Sequence, residues 1–281
     1  MNKIFSFISL VRLNKPIGIF LLLWPTLWAL WLLSNGVPNL RVLGIFVLGV
    51  ILTRSLGCAI NDLVDRKIDA KVSRTKNRPL ALKLISIHEA FYLIIILVIF
   101  SLVLVFQLNI YAIKIASIAL ILIILYPFTK RFLPIPQAFL GITFGFSILM
   151  VSVSVQSQIT LEAWLLFVAN AFWVLAYDTH YAVADMKDDM KIKIKSAPLT
   201  FGKATMKIIA SCYLVAFSIL ILIGILSNYS FVYFIFLFIA FSIALNVWKK
   251  CILLESTANF NAFISNNYVG FLIFVGFLSQ S

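Results

Sequence analysis

The chain has 281 residues, of which 63% are hydrophobic and only 12% charged, and its mean hydropathy is +1.07. Soluble proteins carry charge on about a quarter of their residues, so a soluble globular domain is excluded and an all-α, polytopic membrane protein is expected. The formal net charge of +13 does not point to nucleic acid, because the basic residues are spread over short loops and no long polar segment exists to hold a duplex.

The N-terminal stretch MNKIFSFISLVRLNKPIG is basic but lacks a small-residue cleavage site, so it reads as retained rather than as a removable signal. A bilayer core takes about 20 apolar residues per helix. Nine segments meet that measure: 17–33, 42–60, 90–106, 110–126, 135–155, 161–183, 205–226, 229–248 and 262–278. The connections at 107–109 and 227–228 are short enough to make antiparallel hairpins. Cys58, Cys212 and Cys251 show neither paired nor metal-type spacing and read as packing residues. No linker or low-complexity stretch divides the chain, so residues 1–281 are expected to form one domain.

Of the 23 basic residues, 20 lie at the N-terminus or in the loops after segments two, four, six and eight. The positive-inside rule then puts the N-terminus in the cytoplasm and the C-terminus outside. Seven of the ten acidic residues fall in two stretches on that same side: Asp62, Asp65 and Asp69 beside Asn61, and Asp178, Asp185, Asp188 and Asp189. Each stretch runs through basic residues to a Pro-Leu pair, Pro79-Leu80 and Pro198-Leu199, so the two read as halves of a divergent repeat.

Asn61, Asp65 and Asp69 are spaced four apart, as are Asp185 and Asp189, so on a helix continued past the membrane each set lies on one face. Like charges stacked in this way repel by a few tenths of a kcal/mol per pair unless a cation bridges them. Mg²⁺ takes a few carboxylates together with waters and phosphate oxygens, and two facing clusters suit two ions on one diphosphate. The competing reading is a solvated helix end whose acids pair with Arg66, Lys67, Lys71, Lys187 and Lys191. Two similarly arranged clusters favour the metal.

Arg54 lies inside the second segment, where a charge costs at least ~2.5 kcal/mol, so it should face a polar cavity. There it either balances Asp65 and Asp69 or contacts a substrate carboxylate or phosphate. Tyr126, Lys130 and Arg131 end the fourth segment; they are ordinary interface anchors, or, beside the acids, Lys130 neutralises a leaving diphosphate. Asp178 is a proton acceptor or a structural partner of Arg54 or Tyr177. His88 and His180 read as structural, and Trp24, Trp28 and Trp31 as a packing stripe at helical spacing.

RLNKPIG from Arg12, WPTLWALW from Trp24, NDLVDRKID from Asn61, YPFTKR from Tyr126 and YDTHYAVADMKDD from Tyr177 resemble the UbiA superfamily of intramembrane aromatic prenyltransferases. Within it, the branch acting on 4-hydroxybenzoate in ubiquinone synthesis is the most similar. The resemblance implies about nine helices around a central cavity with cytoplasmic helical caps, in a bacterial inner membrane. It implies Mg²⁺-dependent transfer of a polyprenyl group from polyprenyl diphosphate to the ring carbon ortho to the acceptor's hydroxyl. By the same resemblance Asn61, Asp65, Asp69, Asp185 and Asp189 hold Mg²⁺, and Tyr126 and Lys130 join the four aspartates in catalysis. The expected substrate contacts are Arg54, Asn61, Asp62, Arg78, Lys130 and Arg131. The pattern departs at Lys193, where a glycine is expected before Ile-Lys-Ser, and at Lys83-Leu84, where a small Pro/Ser-Gly turn is expected. The alternatives are another aromatic acceptor or haem and, from a different class, a secondary transporter; nearly uncharged outer loops favour the enzyme.

Overall fold

The computed structural model describes residues 2–281. Its elements are α1 (Lys3–Leu10), α2 (Ile17–Leu33), α3 (Leu40–Asp69), α4 (Ile87–Val105), α5 (Ile110–Phe132), α6 (Pro136–Gln156), α7 (Leu161–Ile192), α8 (Ala197–Phe201), a 3-10 turn (Gly202–Ala204), α9 (Thr205–Leu226), α10 (Phe231–Lys250) and α11 (Ser256–Leu278). Eight helices are long and apolar enough to cross a membrane, and the shorter apolar α2 completes the nine expected segments. An apolar run in lipid must satisfy its own backbone polar groups, which helices do internally, and caps fix where they start. Asn109 accepts from the Ala112 amide at 2.9 Å at the start of α5, and Ser86 and Glu89 form a reciprocal capping box on α4.

α3 and α7 span 30 and 32 residues. At 1.5 Å per residue each is roughly 45 Å long, against a bilayer core of about 30 Å. Both therefore carry their last turns, with the acidic clusters, beyond the apolar zone. α5 outruns its expected end in the same direction, continuing through Pro127 to Phe132. Proline removes one backbone donor there, and the Thr129 hydroxyl bonds the Tyr126 carbonyl at 2.6 Å within that turn. Tyr126 and Lys130 consequently share one helix.

α7 is central and packs on α6, α9 and α11, while α2 packs on α3, α6 and α11, and α10 lies outside against α9 and α11. The core is strongly aromatic: Trp28, Trp173, Tyr177, Tyr213 and Tyr233 are almost wholly buried. The indoles of Trp28 and Trp173 lie 5.0 Å apart, and Trp28 donates to the Gly270 carbonyl at 3.0 Å, so the tryptophan stripe packs as expected. By contrast Phe91, Ile99, Phe100 and Ile121 on α4 and α5 are exposed and form a lipid-facing surface. α6 meets α7 closely because it carries small residues at the crossing. A Cβ on Gly141 would lie 2.7 Å from the Ala171 carbonyl oxygen, a backbone atom that cannot swing away. Gly141→Ala is therefore expected to cost about 1–3 kcal/mol, seen as a lower Tm in detergent, whereas Gly44→Ala, which meets nothing within 4 Å, leaves the Tm in place.

The loops gather at two ends. Lys3–Glu89 (2.6 Å), the Lys195 amide to the Lys130 carbonyl (3.0 Å) and the Ser256 hydroxyl to the Ala184 carbonyl (2.9 Å) tie together the end that carries the acids. Asn109 to the Val153 carbonyl and Gln156 to the Leu33 carbonyl tie the other. Of the expected helical caps, α8 and the 3-10 turn are helical, whereas residues 70–85 form successive turns. Pro79 disfavours helix at the residue before it, and the Thr75 hydroxyl bonds the Asp69 carbonyl at 3.0 Å, ending α3. Lys83 and Lys193 both adopt left-handed backbone, φ 58° and 57°. Side-chain-bearing residues pay roughly 1–2 kcal/mol there, so the turn geometry is kept at both departures although glycine is not.

Candidate active site

A cavity of about 570 Å³ opens among α2, α3, α5, α6, α7 and the turns after α3. Its rim holds Asn61, Asp65, Asp69, Arg74, Arg78, Lys130, Asp185 and Asp189, and its interior is walled by aliphatic and aromatic side chains of α2 to α6, with Arg54, Tyr126, Tyr177 and Asp178 set among them. The two acidic stretches, more than a hundred residues apart in sequence, thus edge one space.

Most rim carboxylates have protein counter-ions. Asp62 is 1% exposed; both its oxygens lie 2.9 Å from an Arg12 nitrogen, and Arg78 lies 2.9 Å from it as well. Arg78 also bonds Asp69 at 2.8 Å. Burial alone would lower the Arg78 pKa, but Asp62 and Asp69 outweigh it and hold the guanidinium above its ordinary range. Lys130 and Arg131 stand 3.7 and 3.9 Å from Asp65. Arg74 reaches across from the turns to Asp185, with its Nε at 2.7 Å, and its guanidinium lies 4.3 Å from the centre of the Tyr181 ring. The Ser73 amide donates to Asp188 at 2.9 Å, giving that residue a cap-fastening place outside the cavity.

The geometry qualifies three expectations. Asp62 lines the cavity, and there it is paired with Arg12 and Arg78. Arg131 does not itself line the cavity; its guanidinium lies 5.3 Å from the centre of the Phe128 ring and reaches Asp65 only at 3.9 Å. Arg54 does not balance Asp65 or Asp69, which lie a turn or more beyond its reach and hold Lys130 and Arg78 instead. Arg54 donates to the Gly18 carbonyl at 3.2 Å and the Cys58 sulfur at 3.0 Å. His180 is structural, its Nδ1 2.6 Å from the Asn259 Oδ1 between α7 and α11.

Among the described residues no three His, Cys, Asp or Glu side chains converge into a closed metal cage. Mg²⁺ does not ask for one, since it keeps waters and takes substrate phosphate oxygens. Among the cavity-lining atoms that are buried with no hydrogen bond, the Tyr177 hydroxyl, the Ser196 hydroxyl and the Asn61 Oδ1, only the last belongs to the expected ligand set. Buried polar atoms without partners are uncommon and call for an explanation. An amide oxygen at the head of the Asn61, Asp65, Asp69 face, with Asp185 and Asp189 on the same rim, is a donor set that fits a hard divalent cation.

Arg12, Arg74 and Tyr181 were not singled out from sequence, and Cys58 was read only as a packing residue, although all four line the cavity. Arg12 sat in the RLNKPIG motif and Arg74 in a basic run, but neither signal tells which acid a cation meets.

A family model described as the UbiA prenyltransferase family matches residues 22–272. The chain is 47% identical over 273 residues to a 4-hydroxybenzoate octaprenyltransferase of Nitrosomonas eutropha, covering 97% of this chain and 96% of that one. It is 46% identical over 277 residues to the enzyme of the same name from Pasteurella multocida, covering 99% and 96%. Of solved structures, the apo UbiA homolog from Aeropyrum pernix superposes with a TM-score of 0.81 at 24% identity, covering 93% of this chain and 97% of that one. A UbiA homolog from Archaeoglobus fulgidus bound to GPP and Mg²⁺ gives 0.71 at 18% identity, covering 98% and 99%. These two likenesses speak to the fold, and the family match and the curated relatives to kinship: the chain belongs to the UbiA prenyltransferase family.

Proposed function

We propose that this protein is a Mg²⁺-dependent 4-hydroxybenzoate polyprenyltransferase, making 3-polyprenyl-4-hydroxybenzoate for ubiquinone synthesis. All of residues 1–281 serve that one unit, in a bacterial inner membrane, with the N-terminus and the acidic rim on the cytoplasmic side. The observation that carries the reading is one cavity with acids and cations at its mouth and a partly buried arginine, Arg54, among apolar walls within. Relatives at 43–47% identity over nearly the whole chain bear the corresponding name, and a structural neighbour binds GPP and Mg²⁺.

Asn61, Asp65, Asp69, Asp185 and Asp189 would hold Mg²⁺, which supplies charge compensation for the diphosphate. Lys130, Arg74 and Arg78 are the protein's own donors at the rim. As the allylic C–O bond breaks, negative charge grows on the departing diphosphate, and cations whose contacts strengthen there lower the barrier. The apolar walls keep water from the allylic carbon as it turns cationic, leaving the acceptor ring as the available nucleophile. Arg54 takes the acceptor's carboxylate and so aims the ring carbon ortho to the hydroxyl at the breaking bond. The new C–C bond forms as the C–O bond breaks, and the ring proton passes to Asp178, a carboxylate of the same cavity. The polyprenyl tail extends into the bilayer.

The test is an acceptor panel on membranes containing the protein, with Mg²⁺ and prenyl diphosphates of several lengths. 4-Hydroxybenzoate should be prenylated well ahead of homogentisate, dihydroxynaphthoate or haem. Absence of product from 4-hydroxybenzoate at every chain length would overturn the reading, and solute movement across sealed vesicles would point to a transporter instead.

A further inference from the structure

Arg54 and Cys58 stand one helical turn apart on α3 and so share a face. The Arg54 Nη1 donates to the Cys58 sulfur at 3.0 Å, its Nε donates to the Gly18 carbonyl at 3.2 Å, and its guanidinium lies 5.7 Å from the centre of the Phe144 ring. The carbonyl, the thiol and the ring are neutral. Among the described residues Arg54 makes no direct ion pair: Asp62, Asp65 and Asp69 are held by Arg12, Arg78 and Lys130, and Asp178 of α7, the carboxylate that shares the cavity with it, is not bonded to it. A partly buried guanidinium is thus oriented by three neutral protein groups and directly ion-paired with none.

Gly18 is as specific as the thiol. A Cβ built there would lie 2.7 Å from the Arg54 Nη2 and 2.9 Å from its Nε, so any side chain at position 18 displaces the guanidinium. The bare backbone lets α2 supply a carbonyl at contact distance while the fork, which matches a carboxylate in two parallel bonds, stays at the cavity wall.

We propose that Gly18 and Cys58 form a charge-neutral cradle that fixes Arg54 without a direct protein ion pair, and that these two positions set the preference for anionic over neutral acceptors. The proposal rests on Arg54 receiving the acceptor carboxylate, as above. Gly18 and Cys58 are positioning residues: they act through the guanidinium and not on the reacting carbon. A neutral acceptor of the same shape leaves the buried charge uncompensated, and sites built around a polar partner reject analogues lacking it far more strongly than apolar pockets reject a missing methylene.

Cys58→Asp supplies the missing counter-ion from one turn away. With 4-hydroxybenzoate and its methyl ester compared in Mg²⁺ and prenyl diphosphate, this variant should raise the KM for the acid about tenfold or more and leave the KM for prenyl diphosphate in place. The acid-over-ester preference should fall by the same factor. Cys58→Asn, of the same size but neutral, should keep the preference. Gly18→Ala should raise the KM for the acid without moving that for the donor. Equal acid-over-ester ratios in Cys58→Asp and Cys58→Asn would overturn the cradle. Should Cys58→Asp fail to fold, Gly18→Ala decides, and an unchanged KM for the acid overturns it. An Arg54→Ala variant with unaltered KM for the acid would instead sink the carboxylate assignment itself, so the two failures are distinguishable.

Discussion

Replacing Asp65 or Asp189 with alanine lowers prenyl transfer by about 10²–10³-fold or more while the protein still folds, and excess chelator does the same to the unaltered protein. Asp65 faces Lys130 and Arg131 at 3.7 and 3.9 Å, distances beyond a good hydrogen bond, and both cations are partly exposed, so they keep their hydration when Asp65 goes. The folded state therefore loses little. What is lost is anchorage for the cation that offsets diphosphate charge at a lipid boundary, where uncompensated charge is prohibitive. The measurement is product formed across a magnesium titration, with the Tm in detergent as the control for folding. Restoring Mg²⁺ after chelation should restore activity, and Asp65→Ala should need more Mg²⁺ for half-maximal rate. Full activity in both folded variants, or in excess chelator, would remove the metal assignment.

Asp62→Ala acts on a different axis, and it should cost about 1–3 kcal/mol of stability because it leaves Arg12 without its carboxylate, while Arg78 keeps Asp69. Arg12 and Arg78 both lie 2.9 Å from this carboxylate, and both are only partly exposed. Arg12 is further constrained, with a left-handed backbone at φ 62° and a second bond from its Nη1 to the Ser9 carbonyl at 2.8 Å, so it cannot easily swing outward. The expected readouts are a Tm lower by several degrees in detergent and less protein accumulated in membranes. Asp62→Asn, which keeps the shape and gives up the charge, should fall between. A normal Tm together with a large rise in the KM for prenyl diphosphate would return Asp62 to the substrate.

The membrane helices were legible because a bilayer writes its thickness into the chain as runs of apolar residues, and basic loops recur at every second turn. The ends were less legible. The fourth segment was expected over 110–126, yet α5 runs on to Phe132. On α3 the four-residue spacing selected Asn61, Asp65 and Asp69 as one face, but Arg78 grips Asp62 and Asp69 together, so the acidic surface is wider than one stripe. The cations that complete the rim come from far away in sequence: Arg12 is 50 residues from Asp62, and Arg74 is 111 from Asp185. Spacing rules work within an element and are silent on such pairs. Arg54 shows the same limit in reverse, since its depth in an apolar segment announced a polar cavity but not that its protein partners would be neutral.

The rim carries its own counter-ions, with Arg74 on Asp185, Arg78 on Asp62 and Asp69, and Lys130 near Asp65. Proteins whose ligand sets repel one another when empty must acquire metal in order to fold. Here insertion into the bilayer and helix packing can finish on a ribosome-fresh chain whatever the local supply of divalent ions. Assembly of the bundle is thereby uncoupled from the metal that the proposed reaction calls for.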